Sequence, residues 1–161
     1  MKSGFAVMIG RSNVGKSTLL NALVGSKIAI TTPKPQTTRT PIQGIVTQKE
    51  CQVVFVDTPG VLKGSRNPLS SKIAHAVTSS LRDVDAVLYV VDPTRAIGDE
   101  EKAVMQLISE IPKPKVFVIN KIDLPEKPFI DFYRDLAHNY DAVVEVSARE
   151  NKNIKELLPI I

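Results

Sequence analysis

Cysteine, tryptophan and long apolar segments are scarce or missing in this sequence. Its 161 residues include one cysteine, Cys51, and no tryptophan, so neither a disulfide within the chain nor a thiolate metal cluster is available. The longest uninterrupted apolar run, Ala86 to Val91, is far shorter than the ~20 residues that a membrane-spanning helix needs. The N-terminal residues show no cleavable signal pattern. These absences predict a soluble protein of a reducing compartment, most simply the cytoplasm.

The excess of positive over negative charge is also small. There are 21 Lys and Arg residues against 17 Asp and Glu residues, which gives a net charge of +4. That excess would suit an RNA partner but is too small to indicate one. The apolar share of 43% and the charged share of 24% are typical of a folded domain and exclude collagen, coiled coil and disorder. The length fits one domain, so we treat residues 1–161 as a single unit.

Short apolar runs alternate with helix-like repeats along the chain. The runs are β-branched and nearly continuous, as expected for strands buried on both faces. They are Phe5 to Ile9, Val53 to Val56, Ala86 to Val91, Val116 to Ile119 and Ala142 to Val146. Between them, apolar stripes with helical spacing begin at Leu19, Leu69, Val104, Phe129 and Ile154. This alternation predicts an α/β fold, a mostly parallel sheet with helices on both faces.

One stretch interrupts the alternation. Residues 41–49 and 51–57 both have strand character, and the gap between them permits only a hairpin. We therefore expect six strands, one of which is antiparallel. Residues 26–40 and 58–68 are rich in proline, glycine and polar residues and are predicted to be loops. In such a sheet a ligand binds beyond the carboxyl ends of the strands, and each motif below follows a strand.

A phosphate-binding motif follows the first strand. The pattern G-x-x-x-x-G-K-[ST] is matched by Gly10, Arg11, Ser12, Asn13, Val14, Gly15, Lys16 and Ser17. The glycines allow successive backbone N–H groups to face phosphate oxygens, and the following helix adds the positive end of its dipole. Lys16 would reach the β- and γ-phosphates, and the Ser17 hydroxyl would ligate Mg²⁺. Thr18 extends this predicted nucleotide-binding set.

A second motif ends the strand Val53–Val56. It consists of Asp57, Thr58, Pro59 and Gly60. The carboxylate can hold Mg²⁺ through water, and the Gly60 N–H can meet a γ-phosphate. The same four residues are also a common turn. Their position at a strand end after a P-loop favours the nucleotide site.

A third motif selects the base. Asn120, Lys121, Ile122 and Asp123 follow the strand Val116–Ile119. The carboxylate can accept from N1–H and N2–H of guanine, a pair that adenine does not offer. Asn120 can bond N7 and tie this loop to the P-loop, and the Lys121 stem can lie along the base. The alternative for Asp123 is a helix N-cap.

A fourth and weaker signal follows the last strand. Ser147 and Ala148 stand there, and a backbone N–H at this place could meet guanine O6. Two small residues alone would carry no prediction. They gain meaning from the three motifs before them.

These motifs, in this order, resemble the G-domain signatures of small GTPases across essentially the whole chain. The stretch Pro35-Gln36-Thr37-Thr38-Arg39 is similar to switch I of the bacterial Era GTPases. The resemblance implies a P-loop NTPase G domain that binds GTP or GDP with Mg²⁺ and hydrolyses GTP. It also implies Thr38, or alternatively Thr37, as the switch I ligand of Mg²⁺, beside Ser17 and Asp57.

The Era resemblance also carries expectations about partners. Members of that family act in assembly of the small ribosomal subunit and join this G domain to a C-terminal KH domain that binds ribosomal RNA. The 161 residues leave no room for such a KH domain. Peripheral association with a membrane is a further family trait, and a monomer is the favoured oligomeric state. Ser12 departs from the family, which usually has proline there.

The catalytic step is the least defined part of the resemblance. Val61 stands where many GTPases carry the glutamine that orients the attacking water. In related GTPases with an apolar residue there, K⁺ can supply the missing positive charge, held partly by an asparagine that corresponds to Asn13. Asn13 could instead merely brace the loop. The predicted catalytic set is therefore Lys16, Thr38, Gly60 and Asn13.

Three other functions stay open on the sequence. The first is a guanine-nucleotide-binding scaffold with negligible hydrolysis, which the absence of glutamine after Gly60 favours. The second is a P-loop ATPase or nucleotide kinase, against which the Asn120–Asp123 motif argues. The third is a related GTPase of ribosome assembly or of tRNA modification, because the tRNA-modifying family shares Thr-Thr-Arg in switch I.

Overall fold

The computed structural model describes residues 2–25, 42–57 and 81–161. Within these ranges there are six strands and four α-helices. The strands are β1 (Lys2–Ile9), β2 (Ile42–Thr47), β3 (Cys51–Val56), β4 (Ala86–Val91), β5 (Lys115–Ile119) and β6 (Ala142–Glu145). The helices are α1 (Lys16–Val24), α2 (Asp99–Ser109), α3 (Ile130–Leu136) and α4 (Ile154–Leu157). Short 3₁₀ turns at Ala137–Asn139 and Leu158–Ile160 continue α3 and α4.

The six strands form one sheet in the order β2-β3-β1-β4-β5-β6. Strands β3, β1, β4, β5 and β6 are parallel, and β2 pairs antiparallel with β3. The carboxyl ends of parallel strands lie at the same edge of the sheet. The segments that follow β1, β3, β4, β5 and β6 are therefore brought together there. The predicted sheet, mostly parallel with one antiparallel strand, is confirmed.

The strands of the hairpin β2–β3 are shorter than the sequence suggested, and the turn between them is longer. The strands cover 42–47 and 51–56, because Gln48 to Glu50 make the turn that the Gln48 N–H closes on the Cys51 carbonyl at 2.8 Å. An irregularity between Ile42 and Gly44 shifts the register near the start of β2. Asp57 therefore follows the end of β3 instead of belonging to it.

Apolar side chains fill both faces of the sheet. Alternate residues of a strand point to opposite faces, and β4 is buried on both. On one face, Leu88 and Val90 belong to a cluster that includes Leu19 of α1 and Leu157 of α4. On the other, Tyr89 joins residues of α2 and α3. Helices on both faces are thus confirmed for the described part of the chain.

The helix pattern was predicted correctly in place but not always in length. The stripe that begins at Phe129 forms an α-helix only at Ile130–Leu136 and then tightens into a 3₁₀ turn. The stripe that begins at Leu69 and the predicted loops 26–40 and 58–68 lie wholly or almost wholly outside the described residues. None of the described helices has the length and hydropathy that a membrane crossing would require.

Candidate functional site

The loop between β1 and α1 needs glycine at both ends. A Cβ on Gly10 would lie 2.4 Å from the Val90 carbonyl oxygen, and a Cβ on Gly15 would lie 2.3 Å from Asn120 Nδ2. Gly15 also has φ +97°, which side chains other than glycine rarely adopt. The loop therefore packs directly on the ends of β4 and β5. This packing fixes its curl.

Backbone donors in this loop are left for an anion. Among the described residues, the N–H groups of Asn13, Val14 and Gly15 find no acceptor. Helix α1, which starts next, has no side-chain N-cap and no acidic residue in its first turn. N–H groups without a protein acceptor at the positive terminus of a helix favour phosphate. The residues from Gly10 to Ser17 therefore fit the predicted phosphate-binding loop.

The Lys16 side chain folds back onto the loop that precedes it. Its ammonium group donates to the Gly10 carbonyl at 2.5 Å and to the Arg11 carbonyl at 3.1 Å. These contacts hold a positive charge at the mouth of the loop. They also keep Lys16 within the region that phosphates would enter.

A cavity of about 290 Å³ opens beside the loop, at the ends of β5 and β6. It is lined by Gly15, Thr18, Asn120, Lys121, Asp123, Leu124, Ala148 and Arg149. The structure thus brings the first, third and fourth sequence motifs to one place. Its walls combine apolar surface with a few polar groups, as small-molecule sites commonly do.

Asn120 ties the loop after β5 to the P-loop. The side chain is buried, donates to the Val14 carbonyl at 2.9 Å and accepts from the Ala148 N–H at 3.0 Å. One amide group therefore joins three of the site's segments. The tie to the P-loop was predicted from the sequence and is confirmed. A backbone N–H at Ser147 or Ala148 was predicted for guanine O6. Here the Ser147 N–H donates to the Lys152 carbonyl at 3.1 Å and the Ala148 N–H to Asn120, whereas the neighbouring Arg149 N–H donates to no described residue.

Asp123 is held as a hydrogen-bond acceptor in the cavity. Its Oδ1 accepts from the Ser147 hydroxyl at 2.8 Å, and the same hydroxyl accepts from the Glu150 N–H at 3.1 Å. The next helix, α3, begins only at Ile130 and has Phe129 at its N-cap position. The alternative role of Asp123 as a helix N-cap is therefore wrong.

Lys121 bridges the P-loop and a buried carboxylate. Its ammonium group donates to the Asn13 carbonyl at 2.7 Å and to Asp92 Oδ2 at 2.8 Å. Burial alone would raise the pKa of Asp92, but the hydrogen bonds from Lys121 and Thr94 outweigh it and lower this pKa below its ordinary value. Asp92 therefore stays ionised and keeps Lys121 in place.

A second cavity, of about 350 Å³, lies on the other side of Lys16. Ser17, Gln43 and Asp57 are among its lining residues. Gln43 of β2 donates to Asp57 Oδ1 at 2.8 Å, so the antiparallel strand helps to orient the carboxylate. Within 2–25, 42–57 and 81–161, no three His, Cys, Asp or Glu side chains form a metal-binding cluster. The set fits Mg²⁺, which commonly takes one or two protein oxygens together with phosphate and water.

Several predicted site residues lie outside the described ranges. They are Thr37, Thr38, Thr58, Pro59 and Gly60. The switch I ligand and the γ-phosphate contact at Gly60 thus remain predictions. Val61 lies outside the described ranges too.

Sequence reasoning missed a buried ionic network beneath the P-loop. Arg11 was expected to offer its backbone, but its side chain points into the core, pairs with Glu101 and donates to the Tyr133 hydroxyl at 3.2 Å. Tyr89 donates to the other oxygen of Glu101. Burial and the neighbouring Glu101 raise the pKa of Tyr133 to about 12 and raise that of Tyr89 as well. Both hydroxyls therefore remain donors.

The fold and the site together define the P-loop GTPase class. Residues 5–121 match the family described as 50S ribosome-binding GTPase. The chain belongs to this family, and the resemblance to Era GTPases is confirmed by the relatives that follow.

Two curated relatives and one solved structure illustrate the similarity. GTPase Era of Thermoanaerobacter pseudethanolicus is 46% identical over 156 residues, which cover 95% of this chain and 51% of the relative. GTPase Era of Lactobacillus delbrueckii subsp. bulgaricus is 46% identical over 161 residues, covering 98% and 52%. A crystal structure of Era with MgGDPNP and nucleotides 1506–1542 of 16S ribosomal RNA has a TM-score of 0.73 and 33% identity, covering 99% and 56%. The chain thus spans about half the length of these relatives.

Proposed function

We propose that this chain is a G domain that binds GTP and GDP with Mg²⁺ and hydrolyses GTP. The observation that carries the proposal is the shared pocket of Asn120 and Asp123. Asn120 is tied to the phosphate-binding loop, and Asp123 is held by Ser147 in the same cavity. A base recognised by this pair would therefore lie next to phosphates bound by the loop.

The pocket supports guanine over adenine for a reason of hydrogen-bond chemistry. An ionised carboxylate only accepts hydrogen bonds, and each oxygen has room for two donors. Asp123 can therefore keep its bond from Ser147 and still accept from N1–H and N2–H of guanine. The Asn120 amide has two N–H groups, one of which bonds the Val14 carbonyl, so the other can donate to N7. Guanine O6 would share the Ala148 N–H or use the Arg149 N–H.

The loop and the second cavity indicate how the phosphates and the metal ion would be held. Lys16 has three N–H donors and would exchange its bonds to the Gly10 and Arg11 carbonyls for bonds to the β- and γ-phosphates. Ser17 and Thr38 would ligate Mg²⁺ directly, and Asp57 would hold the ion through a water molecule. When bound, the metal neutralises charge that develops on the phosphates. The Gly60 N–H would meet the γ-phosphate.

We further propose that K⁺ supplies the charge that a glutamine or an arginine finger supplies elsewhere. Val61 has no hydrogen-bonding side chain, and Asn13 corresponds to the asparagine that helps to hold K⁺ in related GTPases. Asn13 has φ +63°, and its carbonyl accepts from Lys121. That contact uses the backbone carbonyl, and the side-chain Oδ1 of Asn13 is the acceptor that would ligate K⁺.

The biological setting is proposed from the relatives. Era has been solved with 16S ribosomal RNA, and we propose that this chain acts as a cytoplasmic, monomeric switch in assembly of the small ribosomal subunit. GTP would order residues 26–40 and 58–68, and hydrolysis would release them. Most RNA contact would come through a domain outside these 161 residues, because the net charge is only +4.

Nucleotide binding and phosphate release test the proposal together. We expect fluorescent GDP to bind in the presence of Mg²⁺, to be displaced by GTP and not by ATP, and phosphate to be released from GTP. Lys16→Met should remove phosphate release. Displacement by ATP would indicate the ATPase or nucleotide kinase alternative. Binding without phosphate release in both K⁺ and Na⁺ would support the scaffold alternative.

A further inference from the structure

The turn that follows β4 reaches the phosphate-binding loop. Arg95 Nη1 donates to the Ser12 carbonyl oxygen at 2.7 Å. Arg95 is only partly exposed, and it lies 83 residues away from Ser12 along the chain. None of the four sequence motifs includes this turn. The contact therefore adds an element to the nucleotide site.

The turn is built to hold Arg95 in place. Asp92 is buried at the end of β4, and its Oδ1 accepts from the Thr94 N–H at 2.9 Å and from the Thr94 hydroxyl at 2.6 Å. The Arg95 N–H donates to the Asp92 carbonyl at 3.2 Å. The Arg95 carbonyl in turn accepts from the Tyr133 hydroxyl at 3.0 Å. Arg95 is thus anchored through both ends of its peptide backbone.

The same tyrosine closes a ring of contacts under the loop. Arg11 donates to the Tyr133 hydroxyl, Tyr133 donates to the Arg95 carbonyl, and the Arg95 guanidinium donates to the carbonyl of Ser12, the neighbour of Arg11. Glu101 neutralises Arg11 from the core side. These contacts therefore connect the loop and the turn directly.

Peptide geometry links these contacts to phosphate binding. In a planar trans peptide, the C=O of one residue and the N–H of the next point in opposite directions. Arg95 holds the Ser12 carbonyl, Lys121 the Asn13 carbonyl and Asn120 the Val14 carbonyl. The N–H groups opposite them belong to Asn13, Val14 and Gly15, which bond no acceptor among the described residues. The side chains of Arg95, Lys121 and Asn120 thus orient three backbone N–H donors towards the place where phosphate would bind.

We propose that Arg95 is a positioning residue for the phosphate-binding loop and fixes the first of these three N–H donors. The inference rests on the proposed function and adds to it a residue that lies outside the four sequence motifs. Arg95 acts through the Ser12 peptide, so it needs no contact with the nucleotide. Its removal should let that peptide rotate and weaken binding of the phosphates while the fold stays intact.

GDP titration of Arg95→Ala and Arg95→Lys tests the proposal, with Arg134→Ala as the matched control. Arg134 is half-exposed on α3 and bonds Glu145, and neither residue lines the two cavities of the site. A hydrogen bond from a charged group contributes about 1.5–3 kcal/mol, so we expect GDP affinity about 10-fold or more lower in Arg95→Ala. Arg95→Lys should recover part of it, and Arg134→Ala should match wild type. The Arg95–Ser12 bond is present without nucleotide as well, so the melting temperature of Arg95→Ala should fall by several degrees, roughly 3–12 °C, while the chain still unfolds in one cooperative transition.

Unchanged GDP affinity in Arg95→Ala would overturn the proposal, and so would a loss of melting temperature without a loss of affinity. Should Arg95→Ala fail to fold, Tyr133→Phe keeps the core volume and removes the hydroxyl that anchors Arg95. That variant is expected to bind GDP about 3-fold more weakly, whereas wild-type affinity would contradict positioning. A wild-type chain that binds no GDP would refute the proposed function instead.

Discussion

The Ser147 hydroxyl donates to Oδ1 of Asp123 across 2.8 Å, from the loop after β6 to the loop after β5. The contact orients the Asp123 carboxylate. Because the hydroxyl also accepts from the Glu150 N–H at 3.1 Å, its proton is directed towards Asp123. The proposed base pocket is thus preorganised by a residue that would not itself need to touch the base.

Replacing Asp123 should change which base is bound. Asparagine offers one donor and one acceptor where guanine presents two donors, while xanthine presents a matching acceptor. We expect Asp123→Asn to lose about 2–4 kcal/mol of GTP binding and to favour xanthosine triphosphate. Isothermal titration with both nucleotides measures this. Unchanged GTP affinity would show that Asp123 does not bind the base.

Replacing Ser147 should weaken the same pocket less. Ser147→Ala leaves the carboxylate in place but removes the hydrogen bond that orients it, so we expect GDP affinity to fall by about 1 kcal/mol. Ser109→Ala is the matched control, because Ser109 is exposed on α2 and bonds only the Gln106 carbonyl among described residues. The two variants are compared by GDP titration. Equal affinity in both would contradict the orienting role.

Hydrolysis should depend on the monovalent cation. We expect slow GTP turnover that is faster in KCl than in NaCl at matched ionic strength. Asn13→Ala should remove that difference, and Val61→Ala should keep most of the rate, because valine offers no hydrogen bond to lose. Asn139→Ala, at an exposed position in the 3₁₀ turn, serves as the control. Equal turnover of the wild type in K⁺ and Na⁺ would contradict a role for K⁺ and would mean that a partner protein or RNA supplies the positive charge.

Asp92 should make stability depend on acidity. Its pKa is lowered in the folded chain, so its contribution is fully present above the unfolded pKa of about 3.9 and is lost as pH falls through the folded pKa. Asp92→Asn should therefore lower the free energy of unfolding by about 1–3 kcal/mol near neutral pH, and the gap to wild type should shrink in acid.

Urea unfolding near pH 7 and near pH 3 measures that gap. Asp131→Asn is the control, because the Asp131 side chain is 93% exposed and lies 3.7 Å from Arg134. A constant difference between wild type and Asp92→Asn at both pH values would mean that the Asp92 charge does not stabilise the fold.

RNA binding by these 161 residues should be weak. The net charge is +4, and the rings of all three tyrosines pack in the core. The exposed aromatic side chains of the described residues are Phe5 on β1 and Phe132 on α3, and two rings on separate elements do not make a stacking platform. We expect low affinity, a steep loss of binding with added salt and little sequence preference. A filter-binding assay with a ribosomal RNA fragment and a scrambled fragment of equal length measures this. Tight, sequence-specific binding at physiological salt would contradict it.

The fold and the positions of the motifs could be predicted because local pattern controls both. The β-branched runs gave the strands, and parallel pairing then required Lys16 and Asn120 to meet at one edge of the sheet. The tie between Asn120 and the P-loop followed from that placement and is present. Within residues 2–25, 42–57 and 81–161, the ends of elements were misjudged, as at β2 and α3, where turns and 3₁₀ geometry depend on contacts that no short pattern contains.

The network beneath the P-loop could not be predicted with the same confidence, because each member has an ordinary local explanation. Glu101 follows Asp99 and Glu100, and three acidic residues at a helix start suit the helix dipole. Its burial depends on a partner 90 positions earlier, Arg11. One signal was available, since Glu101 is three residues before Val104 and seven before Ile108, on the apolar face of α2.

The aromatic packing around that network makes the chain its own spectroscopic probe. The sequence contains three tyrosines and no tryptophan. Tyr89 and Tyr140 lie 5.7 Å apart between ring centroids, and Phe117 stacks on Tyr140 at 4.7 Å. Tyr133 completes the group, 6.4 Å from Phe117. The tyrosine emission and the tyrosine bands of the near-ultraviolet dichroism therefore originate in one cluster that contacts Arg11 of the loop after β1, and they would report on that region without any attached dye.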